Sequence, residues 1–129
     1  MSLSSDLKKF AQLSIQKQDR VVKSSFIQLG NEMEFKSPVD TGRFKSNWMG
    51  AIGSVDSGTT DSTSRSSVGA LAAKLGGFRM GEVFYYTNSL PYALALEFGH
   101  SEQKDATGMV RLTARRWPQI VNENIRANQ

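Results

Sequence analysis

SSDLKKFAQLSIQKQDRVVKSSFIQLGNEMEFK, residues 4–36, is followed at once by Ser37-Pro38. Leu7, Phe10, Ile15, Val22, Phe26, Leu29 and Met33 recur at helical spacing and make one apolar stripe, while Lys8, Lys9, Lys17 and Lys23 lie off it. Ser4 or Ser5 suits an N-cap, Asp6 suits the positive end of the helix dipole, and no glycine intervenes before Gly30. The spacing predicts one helix over about residues 5–36, stopped by Pro38. At about 1.5 Å per residue it would reach ~45 Å, longer than so small a domain is wide. Such a helix either lies along the sheet or projects beyond its own core, its overhang packed on a neighbouring subunit.

The rest of the chain reads outward from that helix. Ser37-Pro38-Val39-Asp40-Thr41-Gly42 is a turn: proline fixes φ, Asp40 accepts from nearby N–H groups beside Arg43, and Gly42 tolerates a positive φ. Phe44, Trp48, Met49, Ala51, Ile52 and Val55 read as a strand entered from one helical turn. Residues 53–67 are small and hydroxyl-rich, with nothing to anchor them to a core, and read as a flexible polar loop. Its hydroxyls lack the spacing and the Gly-Lys-Ser/Thr ending of a phosphate loop. Val68–Leu75 suits a short helix closed by a positive φ at Gly76 or Gly77, and Glu82–Asn88 is the strongest strand signal, predicted to be central. Leu90–Phe98 reads as a helix with Pro91 in its first turn and Gly99 at its end, residues 99–108 as loop, and Met109–Leu112 as a short strand. Thr113 then caps a last helix to about Arg126, with Trp117, Ile120, Val121 and Ile125 on its inner face. The expected fold is α+β: a long N-terminal helix, a small, mostly antiparallel sheet, short helices and a C-terminal helix. No repeat or composition break divides residues 1–129 into two domains.

Composition excludes much chemistry. The 129 residues contain no cysteine and one histidine, His100, so disulfides, thiolate nucleophiles and cysteine zinc sites are ruled out. General-base chemistry would have to run through His100. Ser101 and Glu97 lie near it in sequence, but the strained Gly-x-Ser-x-Gly turn of a serine hydrolase is missing. Asp56, Asp61 and Asp105 lack the alternation of a calcium loop. Asp40 and Glu97 each have a structural explanation, in a turn and at a helix end, before a catalytic one. No enzyme activity, cofactor or metal is expected, and no apolar run is long enough for a membrane span. The opening residues lack the pattern of an export signal, so a cytosolic origin is expected.

Net charge is +4, distributed as +2 over residues 1–36, −1 over 37–108 and +3 over 109–129. Arg111, Arg115 and Arg116 beside Trp117 offer the alternative of a small basic nucleic-acid-binding protein. Trp117, however, falls on the apolar face of the last helix. Glu97 with Arg111 or Arg115 is the expected ion pair, within one subunit or between two. Glu97, Arg111, Arg115 and Arg116 are thus the candidate intersubunit contacts.

The order of several motifs carries a resemblance: Ser37-Pro38-Val39-Asp40-Thr41-Gly42-Arg43, then Trp48, Asn88, Leu90-Pro91-Tyr92-Ala93, Leu96-Glu97-Phe98-Gly99-His100-Ser101 and Gly108-Met109-Val110-Arg111. Over about residues 1–127 this resembles the tail-completion, or head-to-tail joining, family of tailed bacteriophages, the neck proteins like minor tail protein Z. The resemblance implies a virion protein, assembled in the bacterial host's cytoplasm, that forms a hexameric ring in the neck. Its partners would be copies of itself, the head connector or stopper ring, and the tail terminator or tail tube, with DNA only passing through the lumen. It implies no catalysis. Asp40, Thr41, Gly42 and Arg43 carry over as the turn after the long helix, Trp48 as part of the motif set, Pro91 and Tyr92 as a helix start, and Glu97, Gly99 and His100 as a helix end.

Overall fold

Ser14 breaks the predicted first helix. In the computed structural model, which describes residues 3–37, 42–98 and 108–129, its hydroxyl accepts from the Lys17 N–H at 3.2 Å and so starts a new helix. Helix α1 is Leu3–Ala11 and helix α2 is Ile15–Lys36. A serine hydroxyl that supplies an orphan N–H with its acceptor competes directly with helix continuation. Across the break, the Gln18 side chain donates to the Phe10 carbonyl at 3.2 Å. The long helix is therefore present from Ile15, about 33 Å by its rise, and not from residue 5. Ile15, read as part of the apolar stripe, is 77% exposed, while Val21 is fully buried. The first segment packs on the C-terminal helix of the same chain.

After Gly42, which has φ +88°, a 3-10 turn at Lys45–Asn47 leads into strand β1, Trp48–Ile52. A Cβ at Gly42 would run into the Thr63 carbonyl oxygen. Helix α3, Ser67–Leu75, is capped by the Ser66 hydroxyl, which accepts from the Gly69 N–H at 3.1 Å. It stops without a positive φ: Gly76 is right-handed at φ −57°. Strand β2, Phe84–Asn88, pairs antiparallel with β1, Trp48 opposite Asn88 and Ile52 opposite Phe84. Among the described residues the sheet has these two strands, so β2 is an edge strand and not a central one. Gly50 faces Tyr86 in the ladder, and a Cβ there would come 2.7 Å from the Phe84 ring.

Helix α4 is short, Ala93–Glu97, and helix α5 spans Met109–Arg115, where a strand was expected over Met109–Leu112. The reason is long-range and lies in Glu97, described below. Helix α6 is Trp117–Ala127, with Pro118 in its first turn where its missing N–H costs nothing. Arg116 marks the break between α5 and α6, so the last helix begins at Trp117 and not at Thr113.

Helix α2 is the spine, packed on α3, α5 and α6. One core gathers Met33, Phe44, Trp48, Leu90 and Met109; a second gathers Leu71, Leu75 and Phe78 under Phe26 and Phe84. Tyr86 touches both, stacked on Trp48 at 5.4 Å. Gly30 lets α2 approach α3 closely, because a Cβ there would collide with the Leu71 side chain.

Candidate functional site

Asn88, Pro91, Tyr92, Glu97 and Gly108–Arg111, the motif residues of the second half of the chain that are described, lead into or form the junction of α4 with α5. Asn88, at the end of β2, donates to the Phe44 carbonyl at 2.8 Å and accepts from the Leu90 N–H at 3.2 Å, which fixes where the chain leaves the sheet. Pro91 and Tyr92 follow as the approach to α4; Tyr92 is 40% exposed and sets its ring 5.9 Å from Phe44. Helix α4 then delivers Glu97, only 9% exposed, to the first turn of α5.

Glu97 is fully employed there. Its Oε1 accepts from the Val110 N–H at 2.9 Å, and its Oε2 from the Arg111 N–H at 3.2 Å and the Arg111 Nε at 3.0 Å. Its backbone carbonyl accepts from the Gly108 N–H at 2.7 Å and Arg111 Nη2 at 3.2 Å. A carboxylate at a helix N-terminus meets unpaired N–H groups and the positive end of the dipole. Gly108, at φ +75°, provides the left-handed entry. Together they make Met109–Arg115 a helix although its residues suit a strand. The expected pair thus forms with Arg111 and within one chain. The Arg111 guanidinium also lies 4.6 Å from the centre of the Phe98 ring.

The other basic candidates divide. Arg116 pairs with Glu32 of α2 at 2.6 Å, and Lys36 approaches the same carboxylate at 3.9 Å while donating to Thr113 Oγ1 at 3.2 Å. Arg115 is on the exposed side of α5. Trp117 packs against Phe26 at 5.4 Å, as its place on the apolar face predicts. With Arg111 and Arg116 neutralised and Trp117 used in packing, the basic cluster is a poor phosphate surface.

Trp48 is buried at 3% exposure, and its indole N–H donates to Ser37 Oγ at 2.9 Å, which in turn donates to the Met33 carbonyl at 2.7 Å. This ties the end of α2 to the start of β1. Asp40, Thr41, Gly99, His100, Ser101 and Asp105 lie outside the described residues. Arg43 reaches forward, its Nη2 3.4 Å from Asp61 and its Nε donating to the Thr60 carbonyl at 3.5 Å.

The polar loop is anchored after all. Asn47 is fully buried; its amide oxygen accepts from the Thr60 N–H at 2.8 Å and its amide nitrogen donates to the Thr60 carbonyl at 2.9 Å, as a neighbouring strand would. Arg65 donates to the carbonyls of Ser46 at 3.0 Å and Trp48 at 2.8 Å, and Thr87 donates to the Asp56 carbonyl at 3.0 Å. The Thr60 and Ser62 hydroxyls are spent on local turns, accepting from Ser62 and Ser64 N–H groups. Asn47 and Thr87 outside the loop and the single Arg65 within it do the anchoring, mostly through backbone carbonyls, which a small, hydroxyl-rich composition does not reveal.

No cluster of three metal-ligating side chains occurs among the described residues. Glu97 accepts hydrogen bonds from fixed donors, an arrangement that orders chain rather than moves protons. The outer face of the junction is apolar: Leu94 is 73% exposed, Phe98 58% and Leu112 45%. Leu94, Phe98 and Val110 share an open cleft of about 420 Å³ with Arg111. The chain matches no protein-family model, no curated protein and no solved structure. Function therefore rests on this geometry and on the order of the motifs.

Proposed function

We propose that the chain is a structural subunit of a tailed-bacteriophage neck, forming a hexameric ring that completes the tail and joins it to the head connector around a lumen for DNA. The observation that supports this most is the α4–α5 junction. Residues of two separate motifs, Glu97 and Gly108–Arg111, are joined by hydrogen bonds into one corner, and that corner carries Leu94, Phe98 and Leu112 outward. Exposed apolar residues grouped over an ordered framework are the signature of a contact face. Heterologous contacts that close produce rings. The ordered motif set, from Ser37–Arg43 and Trp48 through Glu97 to Arg111, is what favours a phage neck as the assembly.

Quantitative mass spectrometry of purified, nuclease-treated particles tests the reading by counting this chain against the major capsid protein. Roughly six to twelve copies per particle are expected of one or two closed rings. Absence from particles would overturn it and direct attention to salt-dependent DNA binding.

A further inference from the structure

Between α1, α2 and α6 lies an apolar groove of about 210 Å³. Phe10 of α1, Val21 of α2, and Trp117, Val121 and Ile125 of α6 form its walls, and Asp6 of α1 is set among them. Asp6 is only 6% exposed, and its Oδ1 is buried with no hydrogen-bond partner. An oxygen so placed has lost its hydration without gaining a donor. No basic side chain lines the groove among the described residues. The wall is held in place, since Gln18 ties the last turn of α1 to α2 through the Phe10 carbonyl.

Small-molecule sites combine an apolar cavity with a few fixed polar groups that set orientation. Here the polar group is a single acceptor, so the complementary ligand is a cationic donor on an apolar body. The volume is below the roughly 300–1,000 Å³ of drug-sized sites, which limits that body to about one ring. Trp117 adds an aromatic edge or face for an ammonium to approach. We propose that this groove is a binding site for a small organic ammonium ion carried on an aromatic or branched aliphatic body, with the Asp6 carboxylate accepting from the ammonium. The site is independent of the neck reading and of the α4–α5 junction.

The probe is phenethylammonium, added to the full chain with methyl-labelled valine and isoleucine and followed by NMR. Saturable shifts at Val21, Val121 and Ile125 are expected. 3-Phenylpropionate, which presents a carboxylate in place of the ammonium, is expected to bind at least about tenfold more weakly. Asp6→Asn keeps the shape and is expected to lower phenethylammonium affinity about tenfold at an unchanged melting temperature. Equal binding of the two probes, no saturable shift, or an unaltered affinity in Asp6→Asn overturns the proposal. If Asp6→Asn does not fold, the comparison of the two probes on the unaltered chain decides alone.

Discussion

Glu97 serves three donors with one carboxylate, so its removal strands several groups at once. Glu97→Ala is expected to cost about 2–3 kcal/mol, because three donors lose their acceptor inside a largely buried site. A fall in melting temperature of about 10 °C measures it. Arg111→Ala is expected to cost under about 1 kcal/mol, since that side chain is half exposed and its attraction is screened. Tyr86 presents the opposite case. Its hydroxyl is buried without a hydrogen-bond partner, so Tyr86→Phe is expected to be neutral or stabilising by up to about 1 kcal/mol near pH 7. Burial chiefly, then the nearby Glu34 charge, pushes the phenol well above its ordinary value near 10, with Arg65 pulling slightly the other way. The native state therefore keeps a proton that the unfolded chain releases. Its contribution is fully present below about pH 10 and is lost as pH rises beyond it. Denaturant melts from pH 9 to 11 should show the unaltered chain weakening more than Tyr86→Phe. Neither residue's role was legible in sequence. Glu97 reads there as the end of a helix with basic residues near it, whereas its donors lie beyond residues 98–107 in the chain. The orphaned hydroxyl of Tyr86 is a property of packing alone.

At the scale of elements, legibility follows the range of the deciding interaction. Helix α2, strands β1 and β2, and helix α3 are visible because their side-chain period and local caps suffice. The failures occur where a contact from elsewhere outweighs a local preference. Met109-Val110-Arg111-Leu112 has strand-like composition, yet Glu97 and the left-handed Gly108 make it the start of a helix. Residues 53–67 look unanchored because the anchors are single polar residues, Asn47 before the segment and Arg65 within it, that bond to backbone. Ser14 is an internal cap that an otherwise continuous apolar stripe conceals. Ser14→Ala is accordingly expected to cost about 1 kcal/mol, read from a denaturant melt. Deleting residues 56–65 should also lower the melting temperature, because it removes the Thr60 backbone that satisfies the buried Asn47 amide. A passive linker would leave melting unchanged, and that outcome would refute the anchoring role.

For the whole molecule, two apolar cores hold the frame, and at the α4–α5 corner polar contacts order the chain while a further set of apolar side chains faces out. Leu94 and Phe98 carry exposed surface with no share in either core cluster. Leu94→Asp is expected to leave melting within about 1 °C, as exposed substitutions do, and Phe98→Asp to lower it by no more than about 4 °C through loss of the Arg111–ring contact, while both lower the copy number in particles several-fold. Equal incorporation of both variants would mean that the ring contact lies elsewhere on the molecule.

The bond from the Gly108 N–H to the Glu97 carbonyl joins the two ends of the intervening segment at 2.7 Å. That bond is made between residues on either side of the segment, and the entropy of closing any chain held at its two ends grows only slowly with its length. Doubling such a loop costs only about 0.6 kcal/mol in closure entropy. A tag or a stretch of foreign sequence placed between residues 98 and 108 is thus expected to leave the melting temperature within a few degrees, because the Glu97 contacts to Gly108, Val110 and Arg111 all lie outside the insertion.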